Sequence, residues 1–296
     1  MSNFAIVTDS SCDLSKEFRR KHNIEYAKML MSYTKDNGEL FETFLDLDWE
    51  VLSSKEFYDI LRSGKRIFTA QVTLQNYLEL FEQHLKEGRD VLYVACSSGL
   101  SDSINAAILL VNTELKDKYP NNKVIIVDTL RAGMAEGMSV MLAVELREQG
   151  KTIEEVAEVL EKEKTSFKEV GIPENLSYLK RAGRVSGPKA LMGDLIGLKP
   201  ILMFDEKGSN EATHKAIGKK KAFIKMAELI KEDIVDPENQ TIYLMNADCR
   251  AEDIEAFKKA ILERVTVKEI ICEPLGPVIG ACSGPGTIIC NYKGRN

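Results

Sequence analysis

Three short segments concentrate the side chains able to hold or attack a ligand. SSGLSDS (Ser97–Ser103) sets four serines around Gly99, directly after the apolar run DVLYVAC. Hydroxyls and free backbone N–H groups at a helix N-terminus suit a carboxylate or a phosphate, because that end carries partial positive charge and unpaired donors. The same residues serve equally well as caps, with Ser101 or Ser103 accepting from its own helix. No GKS or GKT follows, so the segment is not a P-loop. FTAQVT (Phe68–Thr73) is too short for a core strand; Thr69 can donate to an anion, while Thr73 is placed to cap the next helix, and a plain linker is the simpler reading. GPVIGACSGPG (Gly276–Gly286) combines four glycines and two prolines with the apolar VIGAC, and Cys282 stands inside it.

A nucleophilic thiol needs an activating base. The three histidines, His22, His84 and His214, are far from Cys282 in sequence, and GxSxG is absent. No catalytic residue is therefore assigned. The six cysteines (Cys12, Cys96, Cys249, Cys272, Cys282, Cys290) form no CxxC pair and the histidines no HExxH, so no metal site is expected and the thiols read as reduced. RAGRVSGP (Arg181–Pro188) offers a basic anion loop, unless Lys180 and Arg184 only pair with acidic neighbours. GKKKAF (Gly218–Phe223) reads as a solvated helix start, or as a docking patch for an acidic partner.

These segments need a scaffold. The chain of 296 residues, 44% hydrophobic and 29% charged, is long enough for two domains with real cores. A net charge of −6 argues against nonspecific nucleic-acid binding. No apolar stretch reaches the roughly 20 residues of a membrane span, and MSNFAIVTDSS lacks the features of a signal peptide, so a cytoplasmic location is expected. FAIVTD followed by SKEFRRKH, DVLYVAC followed by INAAILLVNTELKDKY, and KVIIVD followed by MAEGMSVMLAVELREQG repeat strand, polar turn and helix. That alternation predicts a parallel sheet with covering helices, its turns TDSS, SSGLSDS and DTLRAG sharing the carboxyl rim where ligands bind. The helix from Thr152 carries the chain into a second half of different texture. There LSYLKRAGRVSGPKALMGDLIGLKPILMFD reads as helix, turn, helix and strand, and NQTIYLMNADC, RAEDIEAFKKAILERV, VKEIICEPL and GTIICNYK read as further β-α-β units.

In order and spacing, IVTDSSCDLS, the pair FTAQVT and SSGLSDS, LSYLKRAGRVSGPKALMGDLIGLKPIL and GPVIGACSGPG together resemble the DegV family of bacterial fatty-acid-binding proteins. The resemblance implies two α/β domains: a Rossmann-like domain with a parallel sheet over 1–155, and a domain with a mixed sheet over 156–296. It further implies one long-chain fatty acid of the palmitate or oleate class, held between them without cofactor, metal or catalysis. Carried over residue by residue, the carboxylate contacts fall on Thr69 and Ser101, with Cys282, Ser98 and Ser283 as a wall of the head-group site.

Some family members present the acyl chain to a separate fatty acid kinase that phosphorylates the carboxylate for phospholipid synthesis. The affinity would come from the chain: at roughly 0.8 kcal/mol per methylene, about fourteen of them give about 11 kcal/mol before the entropy of binding is subtracted. The sequence departs from the family pattern at four places. Ala70 and Val72 replace a serine and a proline, Asp102 replaces a glycine, and Cys282 stands where the closing motif carries histidine. Kinase-partnered members also tend to carry an arginine before the Lys-rich helix, where THKAIGKKK offers lysines only. Two other classes stay open beside the carrier: an acyl-processing enzyme using Cys282, and a regulatory subunit whose pocket takes another small anion.

Overall fold

The computed structural model describes residues 4–185 and 197–296. The first stretch carries β1 (Phe4–Asp9), α1 (Lys16–His22), β2 (Glu25–Ala27), β3 (Leu30–Thr34), β4 (Leu40–Phe44) and α2 (Ser54–Arg62). Next come β5 (Phe68–Ala70), α3 (Leu74–Leu85), β6 (Asp90–Ala95) and α4 (Ser103–Leu110). The last of these runs through a π-helical turn (Val111–Leu115) into α5 (Lys116–Lys118). Then follow β7 (Val124–Asp128), α6 (Gly133–Glu148), α7 (Ile153–Glu163), β8 (Phe167–Ile172) and α8 (Ser177–Ala182). The remainder holds β9 (Leu198–Phe204), β10 (Asn210–Ile217), α9 (Lys219–Asp233), β11 (Thr241–Asn246), α10 (Ala251–Leu262), β12 (Glu269–Pro274), α11 (Pro277–Ser283) and β13 (Ile288–Lys293).

Two compact units result: Met1–Val51 with Arg66–Lys164, and Leu52–Lys65 with Thr165–Asn296. The break after Lys164 keeps α7 whole, because that helix packs on α6, β6 and β7; the expected boundary at 155/156 lies inside it. The excursion carrying α2 belongs to the second unit, which pattern alone did not anticipate.

The first unit is the expected parallel sheet, ordered β2-β1-β6-β7. All six residues of β1 are buried, as a strand covered on both faces requires. The chain leaves β1 towards β2 and leaves β6 towards β7, so the strand order reverses between β1 and β6. Such a reversal opens a crevice at the carboxyl ends of the two strands. α3 covers the face of β6 that carries Tyr93, whose ring meets those of Tyr77 and Phe81. Beside this sheet lies a smaller antiparallel one, β4-β3-β5, which the sequence reading passed over. Its hairpin turns at Asp36-Asn37-Gly38, with Lys35 N–H donating to the Glu39 carbonyl at 2.8 Å and Gly38 at φ +83°. FTA of FTAQVT is the edge strand β5, so the segment is more than a linker.

The second unit is built on a mixed sheet, β10-β9-β8-β13-β11-β12. β11, α10 and β12 form a parallel β-α-β unit, while β13 inserts antiparallel between β11 and β8. Its core packs Val170, Ile172, Ile242, Leu244, Ile288 and Cys290 against α9 and α10, whose Phe223 and Phe257 stack at 5.2 Å. α9 starts at Lys219, as GKKKAF suggests, and Lys219 Nζ bridges Glu174 and Asp253 at 2.7 Å each. SYLKRA forms α8 and LKPILMF forms β9; the second helix expected between them lies outside the described residues. GPVIGACSGPG is not a loop throughout. Pro277–Ser283 is a short helix, started by a proline at its first position, where the missing N–H costs nothing.

Candidate functional site

The three polar turns meet at the carboxyl rim of the parallel sheet, as the strand pattern requires. Ser97 N–H donates to the Arg131 carbonyl at 2.8 Å, Ser98 N–H to Asp128 Oδ1 at 3.2 Å, and Cys96 N–H to Asp9 Oδ2 at 3.1 Å. Thr129 Oγ1 returns a bond to the Ala95 carbonyl at 2.7 Å. The first-unit members of the expected site stand on and beside this rim. Thr69 is the middle residue of β5, opposite Met31 and partly exposed. Its hydroxyl has no hydrogen-bond partner among the described residues. Ser101 is partly exposed and Ser98 exposed.

One bond ties the two hydroxyl segments together. Val72 N–H donates to Ser103 Oγ at 3.2 Å, and Ser101 Oγ donates to the same oxygen at 3.1 Å. Ser103 thus holds the end of FTAQV against the turn that carries Ser101. The capping readings are also met in part. Ser101 Oγ accepts from the N–H of Ser103, the first residue of α4, and Thr73 Oγ1 accepts from Asn76 N–H at the start of α3, both at 3.2 Å. Asp102 is exposed and accepts from Asn105 Nδ2 at 2.9 Å, so its charge is turned to solvent and to its own helix.

Cys282 and Ser283 belong to the second unit, at the end of α11. Cys282 is half-buried. Ser283 is buried, and its Oγ has no hydrogen-bond partner among the described residues. The histidines are engaged elsewhere: His22 with Glu148 at 2.8 Å, His84 with Glu25 at 2.9 Å, and His214 with Thr213 at 3.0 Å. In the basic loop, Arg184 donates to the Ala182 carbonyl at 2.6 Å and Arg181 lies over the Tyr178 ring; Ser186–Pro188 lie outside the described residues. No cluster of three metal-ligating side chains occurs among the described residues, and none of their helices is long and apolar enough to cross a membrane. A hollow of about 480 Å³ beside the π-helical turn is lined by Leu85, Val111, Leu115 and Val124. It lies by the first residue of β7, away from the rim.

Sequence reasoning missed what lies beneath the rim. Thr8 Oγ1 donates to Glu136 Oε1 at 2.9 Å, and Ser11 Oγ lies 2.6 Å from both Asp9 Oδ1 and Glu136 Oε2. Tyr93 donates to Asp9 Oδ2 at 2.9 Å, and the Tyr77 hydroxyl is 2.8 Å from that of Tyr93. All of these residues are buried. Burial, with Asp9 close by, pushes the Glu136 carboxyl well above the usual carboxylate range. Arg131, also buried, stands on the third turn with its guanidinium donating to the Leu130 carbonyl at 2.7 Å. The available signal was a lone acid within the apolar helix AGMAEGMSVML and an arginine in a tight strand-to-helix turn.

A sequence model described as "Uncharacterised protein, DegV family" matches residues 3–291. The chain belongs to the DegV family. A DegV domain-containing protein of Clostridium perfringens is 35% identical over 294 residues, covering 99% of this chain and 98% of the relative. Among solved structures, a DegV family protein of Thermus thermophilus, described by its fatty acid binding, is 27% identical with a TM-score of 0.83; the match covers 98% of this chain and 99% of that one. DegV of Bacillus subtilis, described as a fatty acid binding protein, is 25% identical over the whole of both chains, with a TM-score of 0.81. The two α/β architectures expected of a DegV member are those found, one built on a parallel and the other on a mixed sheet.

Proposed function

We propose that this DegV member is a non-catalytic carrier of a long-chain fatty acid of the palmitate or oleate class, its head group held by Thr69 and Ser101. The observation that carries the reading is the Ser103 tie, which fixes the Thr69 segment and the Ser101 turn to one another at the carboxyl rim of the sheet. Two neutral hydroxyls at such a rim can hold a carboxyl group without the cost of a buried ion pair. The fatty acid binding described for the Thermus and Bacillus relatives supports the same ligand class. Ser98, Cys282 and Ser283 are the further candidates for head-group contact. Delivery of the acyl chain to a separate kinase would be the consuming step; THKAIGKKK lacks the arginine that kinase-partnered members tend to carry before this helix, and Lys219 is already paired with Glu174 and Asp253.

The test is to denature the purified protein, extract it with organic solvent and analyse the extract by mass spectrometry. A stoichiometric long acyl chain is expected. If none is found, and added palmitate and oleate are not taken up, the carrier reading fails.

A further inference from the structure

The interior strand β13 of the mixed sheet is apolar on one face only. Cys290 packs between Val170 of β8 and Leu244 of β11, in the core under α9 and α10. Side chains change face at every step along a strand, so the alternate residues look the other way. On that second face Ile289 stands between Gly171 and Met245, and Asn291 stands between Glu169 and Tyr243. Asn291 is fully buried, and Glu169 beside it is buried as well. Neither the amide nitrogen nor the amide oxygen of Asn291 has a hydrogen-bond partner among the described residues. A buried donor and a buried acceptor left unpaired both cost a fold stability, and leucine would fill nearly the same space without that cost. The amide therefore calls for a partner that is not part of the chain.

The unpaired atoms define the chemistry of that partner. Nδ2 offers hydrogens and Oδ1 offers lone pairs. A carbonyl or carboxylate only accepts, which leaves Oδ1 unmet, and a carboxylate would also stand beside that of Glu169. An ammonium only donates, which leaves Nδ2 unmet. A hydroxyl does both from one oxygen. The neighbours Ile289 and Met245 are buried and apolar, a surface suited to hydrocarbon. We propose that Asn291 reads a hydroxyl group borne on the chain of the bound lipid, so that the favoured cargo is a hydroxylated long-chain fatty acid. The hydroxyl donates to Oδ1 and accepts from Nδ2; no covalent bond forms or breaks. The assignment rests on the carrier reading and narrows its ligand class. An ordered water has the same two capacities, and the experiment separates the two sources.

The test is displacement of a fluorescent fatty acid from the full-length protein by stearate and by a series of its monohydroxy isomers. At least one isomer is expected to bind about fivefold more tightly than stearate, the worth of one hydrogen bond. In Asn291→Leu that preference should vanish while stearate still binds. Asn291→Ala, which adds no bulk, supplies the same comparison where Asn291→Leu does not fold. If no isomer surpasses stearate in the wild-type protein, the amide belongs to a water and the proposal is overturned, with the carrier reading intact. A preference that survives substitution of Asn291 overturns it equally. Failure of stearate and of every isomer to bind overturns the carrier reading as well.

Discussion

The hydroxyl of Tyr58 occupies the space that a side chain at Gly280 would need. It donates to the Leu275 carbonyl at 2.7 Å, and a Cβ built on Gly280 would stand 2.4 Å from it. Tyr58 lies on α2 and Gly280 on α11, so this contact fastens the α2 excursion to the second unit. Gly280→Ala should displace the ring and cost about 1–3 kcal/mol, the usual penalty for overpacking a closed site. Tyr58→Phe should cost about 1 kcal/mol through the lost hydrogen bond alone. Urea melts of the two variants check the order; equal stability of Gly280→Ala and wild type would refute the packing argument.

Ser11 has one hydrogen for two carboxyl oxygens at 2.6 Å, so Asp9 and Glu136 together retain a proton. Asp9 has the other donors, and Glu136 is the acid whose affinity for protons is raised by burial. Folded protein therefore holds a proton that the unfolded chain releases above its ordinary value of about 4.3. The stability linked to Glu136 is full below that value and declines as pH rises towards the folded-state value, by at most about 1.4 kcal/mol per pH unit. Glu136→Gln, whose amide can still donate to Ser11, should flatten the decline. Thermal melts between mildly acid and mildly alkaline pH measure it, and identical slopes for the two proteins would count against a shared proton.

Loss of either head-group hydroxyl should weaken palmitate binding. Thr69→Val and Ser101→Ala each remove one hydrogen bond, worth about 1 kcal/mol or about fivefold in affinity. Displacement of a fluorescent fatty acid reads the change. The acyl chain should still bind measurably in either variant, because its burial supplies most of the affinity.

The thiols should separate by burial. Cys12, Cys96 and Cys290 are buried, and burial raises the proton affinity of all three. Cys249 is pushed up to about 12 for the same reason. Half-buried Cys282 should react with iodoacetamide ahead of these four in the native protein, mapped by peptide mass spectrometry. Cys282→Ala should keep a stoichiometric acyl chain; loss of that chain would restore an essential role for the thiol.

Regular patterns were the most legible part of this chain. The apolar strands β1, β6 and β7, each ending in a polar turn before a helix, fixed the parallel sheet and its rim. The three-residue strands β2 and β5 left no such signal, because so short an element has no period to read. The stretch around Asp36-Asn37-Gly38 carries a hairpin signal in its Asn-Gly pair. Thr73 was readable as a cap because a cap is a local relation between residues three apart.

What the residues determined alone was the class of the scaffold and the likeness to a family, since buried strands, amphipathic helices and turn chemistry are written in nearest-neighbour order. Which hydroxyls act together was decided by tertiary structure. Ser103 reaches Val72, Tyr93 reaches Asp9, and Glu136 reaches Ser11 only because parallel pairing brings the ends of β1 and β6 side by side with α3 and α6 packed around them. A hydrogen bond depends on separations of about 3 Å and on the direction of a single hydrogen. Neither is encoded in the spacing of residues along the chain, so the tie between Ser103 and Val72 became visible only in the fold.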